Sequence, residues 1–296
     1  MTEEKAWLSE RFEAQRTQLR GVAYRMLGSL SEAEDALQES WLRASRADTS
    51  GVENLGGWLT TVVARVSLDM LRSRKSRREE SLAEAPARPV AGRPDTLDPE
   101  QEVLLADSVG VALLVVLEHL TPTERLAFVL HDLFGMSFDD ISPIVGRSPA
   151  AARQLASRAR RRVRGRDAAG SADVKTQRQV VEAFLAAARE GNFDALLGVL
   201  DPAVVRRADA AALPPGAPRE LRGAEAVAKG ALAGARRAGS PPVALALING
   251  KVGVVVAPRG RLTMAMQFEI RDARIVAIEI VADPDRLRGL DVALLD

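Results

Sequence analysis

Eight arginines and no acid fall between Arg147 and Arg166. With a helix starting at Pro149, the residues Ala152, Leu155, Ala159 and Val163 make one apolar stripe, while Arg153, Gln154, Ser157, Arg158 and Arg161 project from the other side. A helix lying in the DNA major groove needs that division: early side chains reach base edges, and arginines pair with guanine or with flanking phosphates. Ser148 and the free amides of the first turn offer a place for a phosphate. The competing reading is a solvated basic helix end.

A second basic island runs from Arg65 to Arg78, where Arg65, Arg72, Arg74, Lys75, Arg77 and Arg78 face a single acid, Asp69. Trp58 heads the apolar helix that leads into it. An aromatic followed by cations suits single-stranded or melting nucleic acid, where stacking and phosphate contacts add. A tryptophan at helical spacing is nevertheless more often a core residue. Asp35, Gln38, Glu39 and Trp41 form an acidic, polar and aromatic patch on one short helix. Taken alone, that patch reads as a solvated helix face with Trp41 buried.

Other chemistry is excluded by composition. The chain has no cysteine, so disulfides, zinc–thiolate sites, iron–sulfur clusters and cysteine nucleophiles drop out. Two histidines, His119 and His131, argue against a metal site or a histidine-based triad. Asp209, Glu225, Glu269 and Glu279 are scattered and make no acid/base pair, so no catalysis and no cofactor are expected.

The elements that must position these residues divide the 296-residue chain into about two or three domains. A hydrophobic fraction of 47% is enough for real cores, and the net charge of +1 conceals the two islands. The N-terminus lacks a signal-peptide pattern, and the longest uncharged apolar run, Val109 to Leu117, is far short of a bilayer span. A soluble, cytoplasmic chain is expected.

Residues 1–78 read as helical. Leu8, Phe12, Leu19, Val22, Ala23, Met26 and Leu27 recur at helical spacing before Gly28, and Ser31-Glu32-Ala33-Glu34 reads as a capping box opening a second helix. From 79 to 100 the periodicity is lost. Four prolines and six acids against two arginines predict an extended acidic linker there. Residues 101–166 are helical again: Thr121-Pro122-Thr123-Glu124 caps one helix that Gly135 ends, Ser137 and Gly146 bracket a short one, and Ser148-Pro149 opens the basic one. Two short helices around a glycine turn have the shape of a helix-turn-helix. After a small-residue linker at 167–173, residues 174–296 read as an α+β domain. Helices near Val180 and over Phe193–Leu200 precede strands at 243–248, 252–256, 262–270 and 274–281.

The run from Leu19 to Ser29, followed by Ala33 to Arg43, resembles region 2 of the extracytoplasmic-function sigma factors, and Trp58–Arg65 with Asp69–Ser73 continues the match. Leu120–Arg125 and Arg153–Arg160 resemble region 4. The C-terminal 120 or so residues resemble the SnoaL-like (NTF2-like) extension of the sigma-J-type subgroup. The resemblance implies a multi-domain protein: two all-α sigma domains, then an α+β cone. It implies that Asp35, Gln38, Glu39 and Trp41 dock on the clamp helices of the polymerase β′ subunit. The loop Asp48–Asn54, with Trp58, Arg65, Asp69, Arg72, Arg74 and Lys75, would hold the melted −10 element. Ser148, Arg153, Gln154, Ser157, Arg158 and Arg161 would read the −35 element. The partners implied are core RNA polymerase, through its β′ clamp and β subunit, and promoter DNA. The fused domain would regulate in place of a separate anti-sigma factor, with Asp283, Pro284, Asp285, Arg286 and Leu287 as its end motif.

Two departures stand out. Pro143 falls inside the first helix of the helix-turn-helix, where it deletes a backbone bond and is expected to kink or shorten that helix. Ala208–Ala212 stands where the subgroup carries a glycine-rich signature. Two further readings remain open at this point. One is a one-component helix-turn-helix regulator with a ligand-binding cone, which leaves the N-terminal helices idle. The other is an enzyme of the polyketide-cyclase type.

Overall fold

The computed structural model describes residues 3–83, 110–164, 172–238, 243–258 and 261–295. They fall into two compact units: one holds the three N-terminal helices and residues 117–160, the other residues 110–116 and the chain from Arg161 onward.

In the first unit, α1 (Glu3–Leu27), α2 (Leu30–Ala44) and α3 (Leu55–Ala83) pack on one another. Leu8, Phe12, Leu19, Val22, Ala23 and Met26 are buried, as the spacing predicts. Gly28 ends α1 at φ 79°, a left-handed conformation that costs glycine little. The cap of α2 is Ser29 rather than Ser31: the Ser29 hydroxyl accepts the Glu32 amide at 3.4 Å. Leu30 is buried and belongs to the helix, so the helix must open before it. At the other end, α3 runs five residues into the expected linker. Residues 79–83 contain good helix formers and no proline, which first appears at Pro86. The remainder of the acidic linker lies outside the described residues, as do residues 167–171 of the second linker; α8 already begins at Ala172.

The second helical block comprises α4 (Val111–Glu118), α5 (Pro122–Phe128), α6 (Phe138–Val145) and α7 (Pro149–Arg164). Thr121 and Glu124 complete a reciprocal capping box, which contributes about 1 kcal/mol. The helix expected to continue to Gly135 changes instead into a wider π turn over Val129–Leu133. Ser137 and Gly146 bracket α6 as predicted. The helix runs through Pro143 to Val145 without being cut short at the proline. Pro143 cannot donate to the Asp139 carbonyl, and the Ser142 hydroxyl donates to that carbonyl at 3.1 Å instead.

Arg125 ties this block to the first. It is buried, its Nε donates to the Arg25 carbonyl at the end of α1 at 2.9 Å, and its Nη2 has no partner. Arg74 reaches the same helix end, donating to the Leu27 carbonyl and to Glu32. Cations at a helix C-terminus meet the negative end of its dipole. Burial, with repulsion from Arg74 second, lowers Arg125 from the ordinary arginine range to about 9. The folded value lies below the unfolded one, so the unfolded chain holds more protons between these two limits and stability rises with pH across that window. Arg125→Met keeps the volume and removes the buried charge. It is expected to abolish the gain in melting temperature above pH 9 and to melt no lower than the parent at pH 7. A clear drop at pH 7 would show that the bond to Arg25 outweighs the desolvation.

The second unit contains α8 (Ala172–Glu190), α9 (Phe193–Val199), β1 (Leu200–Ala208), β2 (Glu220–Arg222), α10 (Ala224–Ala238), β3 (Val243–Ile248), β4 (Lys251–Val256), β5 (Met264–Arg271), β6 (Arg274–Val281), α11 (Pro284–Arg288) and β7 (Val292–Leu294). The strands form one sheet in the order β2-β1-β6-β5-β4-β3-β7. The four expected strands are present, and β3–β4–β5–β6 pair antiparallel in sequence order. Asn249-Gly250, both at positive φ, make the tight β3–β4 turn. Three strands go beyond the expectation, and β1 pairs parallel to β6. The helix expected to reach Leu200 stops at Val199, because Leu200 already belongs to β1. Val181 and Phe184 of α8, Leu196 of α9 and Val227 of α10 share a core with Val254, Phe268 and Ile278 of the sheet. Phe184 meets Phe268 edge-on at 5.6 Å. The architecture is therefore two all-α blocks followed by an α+β domain.

Candidate nucleic-acid interface

Helix α7 has two distinct faces. Ala152, Ala156, Ala159 and Val163 are buried at helical spacing. Leu155, expected in that stripe, is only half-buried, and Ala156 takes its place. Arg153, Gln154, Arg158 and Arg161 are exposed and Ser157 is half-buried. The Ser148 hydroxyl accepts the Ala151 amide at 3.3 Å, so it already serves the first turn. The Arg153 guanidinium lies over the Phe138 ring at 5.3 Å, and Phe138 stacks on His131 at 3.9 Å. Arg160 pairs with Asp132 at 2.7 Å, which fixes α7 against the π turn. Nothing in the spacing distinguishes Arg160 from its neighbours; only the fold brings Asp132 to it. What remains outward is a cationic face with one amide side chain, suited to phosphates and base edges.

On α3, Arg65, Asp69 and Arg72 are exposed at i, i+4 and i+7 and so share one face. Trp58 is half-buried, and the Asn54 carboxamide caps the helix by accepting the Gly57 amide at 3.0 Å. Arg74 is turned away from that face, held by Glu32 and the Leu27 carbonyl. The Lys75 side chain lies outside the described residues.

Asp35, Gln38 and Glu39 are exposed on α2. Trp41 is half-buried rather than buried, with its edge against Phe12 at 5.4 Å. Trp41 and Gln38 line a cleft of about 300 Å³ between α1 and α2. Arg43 bridges Glu39 at 2.8 Å and Asp69 at 3.5 Å, joining the acidic face of α2 to the polar face of α3. Arg43 is not among the residues expected at the site, although its i, i+4 spacing from Glu39 is the signal of such a pair.

The end motif and Asp209 form one cluster. Asp283 caps α11 by accepting the Asp285 and Arg286 amides, Pro284 takes the first helical position, and Leu287 is buried. Asp209 accepts the Ala282 and Asp283 amides at 3.0 Å, and Arg286 is held by both Asp209 and Glu279. Asp285 pairs with Arg288. Burial would raise Asp209, but the two amides and Arg286 outweigh it and hold the carboxylate below its ordinary range. A lowered carboxylate contributes stability that is present above its unfolded pKa of 3.8 and lost as pH falls through the folded value. Asp209→Ala is expected to destabilise the domain by about 1–3 kcal/mol at pH 7, read as a lower melting temperature and faster exchange of the Ala282 and Asp283 amides. An unchanged melt would show that α11 holds without it.

Among the described residues no helix is long and apolar enough to cross a membrane. Residues 12–77 match the Sigma-70 region 2 family and residues 110–163 match Sigma-70, region 4. The chain is 38% identical over 289 residues to the ECF RNA polymerase sigma factor SigJ of Mycobacterium tuberculosis (strain ATCC 25618 / H37Rv), covering 94% of this chain and 92% of that protein. It is 38% identical over 203 residues to a probable ECF RNA polymerase sigma factor, SigI, of Mycobacterium tuberculosis (strain CDC 1551 / Oshkosh), covering 69% of this chain and 70% of that one. Superposition on the crystal structure of Mycobacterium tuberculosis SigJ covers 95% of this chain and 98% of that chain, with 34% identity and a TM-score of 0.46.

Proposed function

Since the chain belongs to the extracytoplasmic-function RNA polymerase sigma factors, which bind core polymerase and direct initiation at promoters, we propose that its surfaces divide that work residue by residue. Asp35, Gln38, Glu39 and Trp41 dock on the β′ clamp. Asn54, Trp58, Arg65, Asp69 and Arg72 hold the −10 element, with Arg74 supporting the helix junction. Arg153, Gln154, Ser157, Arg158 and Arg161 read the −35 element, with Ser148 capping their helix. The observation that carries the reading is the presence of two chemically opposite exposed faces. One is acidic and polar, on α2. The other is cationic, on a helix whose opposite side is buried. The first suits a basic protein surface and the second suits DNA.

The helices divide the same way: α1–α3 for polymerase and the −10 element, α5–α7 for the −35 element, and the chain from α8 onward for regulation. Support for a regulatory role comes from the cluster of Asp209 with Asp283–Leu287, in which the end motif is tied to the domain by two amide bonds and Arg286. No catalytic role is assigned to this domain. Among its described residues Glu225, Glu269 and Glu279 are each ion-paired at the surface, and Asp209 is taken up by two amides and Arg286.

The test is binding of the full chain to purified core RNA polymerase in the absence of DNA. Sub-micromolar binding is expected. No binding, with retained affinity for DNA, would favour a one-component regulator instead.

A further inference from the structure

Arg206 lies on β1 with Val204 and Ala208 on the same face, two residues to either side. Its direct cross-strand neighbours are Leu221 on β2 and Ile278 on β6, and Phe268 on β5 continues the row through Ile278. Val204, Ile278 and Phe268 belong to the apolar core of the domain. The residue is only 8% exposed, and its Nη1 is buried with no hydrogen-bond partner. Burial lowers its pKa, and no carboxylate opposes the shift. A largely buried arginine on an apolar face, with Nη1 unpartnered and no carboxylate paired with it among the described residues, is a costly arrangement.

The same face is not sealed throughout. In the Arg206 row Phe268 and Ile278 are fully packed. One row further toward the end of β1, Met266 and Ile280 are half-buried, as is Met264 on β5 beyond them, while Val254 on β4, next in that row, is sealed. The charge therefore sits where a closed apolar interior gives way to an accessible apolar surface.

We propose that this face binds a small amphipathic monoanion, a carboxylic acid with an aliphatic or aromatic body, whose carboxylate pairs with Arg206 and whose body covers Met264, Met266 and Ile280. One cation without a counter-ion balances one negative charge, and the planar fork of a guanidinium matches a planar carboxylate. A phosphate dianion would leave surplus charge in the same apolar setting. A peptide segment would bring backbone amides that the apolar neighbours could not satisfy. The assignment does not depend on how the domain acts on transcription.

The experiment is calorimetric titration of the full chain with octanoate, with octanamide as the uncharged match and acetate as the bare anion. Octanoate is expected to bind at one site, at least about tenfold more tightly than octanamide or acetate, since charge-assisted bonds are roughly twice as strong as neutral ones. Arg206→Leu is expected to lose that margin while keeping the parent's circular dichroism and its weak affinity for octanamide. Arg206→Met serves as a second variant should the leucine chain fail to fold. Equal affinities for octanoate and octanamide would overturn the proposal, as would equal affinities for octanoate and acetate. So would the absence of octanoate binding at about 1 mM, the weak end of measurable affinity.

Discussion

Arg153→Ala combined with Arg158→Ala is expected to cut transcription from a promoter selected by the holoenzyme by about 100-fold, with core polymerase affinity unchanged. Each arginine removed from a base edge costs about 1–3 kcal/mol, and 1.4 kcal/mol is a factor of ten. The two positions are not equivalent. Arg158 is exposed on the outer face of α7, so Arg158→Ala takes away an interaction with DNA and little else. Arg153 also lies over Phe138, so its replacement adds up to about 1 kcal/mol of cation–π stabilisation to the cost. Holoenzyme binding to promoter DNA, followed by anisotropy across a salt series, separates the cases. An arginine that pairs with a phosphate lowers the salt slope by about one when it is replaced, whereas one that reads a base changes sequence preference. Should the double variant fail at polymerase binding instead, the division of labour between α2 and α7 is wrong.

The complementary change, Asp35→Ala with Trp41→Ala, is expected to weaken core polymerase binding by about 100-fold and to leave the interaction of α7 with DNA intact. Buried aromatic anchors at the centre of an interface carry about 2 kcal/mol or more each, while an exposed charge carries less than about 1 kcal/mol. Trp41 does two jobs in this fold: it lines the cleft between α1 and α2, and it packs edge-on against Phe12. The variant therefore needs a melting curve beside the binding curve, and Trp41→Phe supplies the contrast by keeping an aromatic edge for Phe12. Full affinity in a folded double variant would remove α2 from the docking surface.

Much of the helical half was legible because its signals are local. Capping residues at Thr121 and Ser137, glycines at positive φ and a buried stripe every three or four residues all act within one turn. The errors there are also local: Ser29 replaces Ser31 as a cap, and Leu155 yields its core place to Ala156. What escaped the sequence depends on distant partners. Arg74 and Lys75 look alike in a basic island, yet Arg74 is withdrawn by Glu32, 42 positions away. Pro143 looks disruptive until the Ser142 hydroxyl is seen to take the orphaned carbonyl. In the C-terminal domain the four antiparallel strands alternate visibly. β2 and β7 have three residues each and show no period, and β1 is defined by a parallel partner far along the chain. The buried charge of Arg206 is invisible in the sequence for the same reason: only the register with Leu221 and Ile278 shows where it points.

The order β2-β1-β6-β5-β4-β3-β7 also sets a timetable. β1 emerges early from the ribosome, but its parallel neighbour β6 and the edge strand β7 are the last parts of the domain to be made. Pairings of such long sequence separation form slowly, whereas the helices of the first unit pack mostly on near neighbours in the chain. At about 5–20 residues per second, the roughly 130 residues that separate the first unit from the closing strand take on the order of ten seconds to synthesise. During that interval each newly made chain already carries the whole of α1–α3 and α5–α7 while its sheet still lacks β6 and β7.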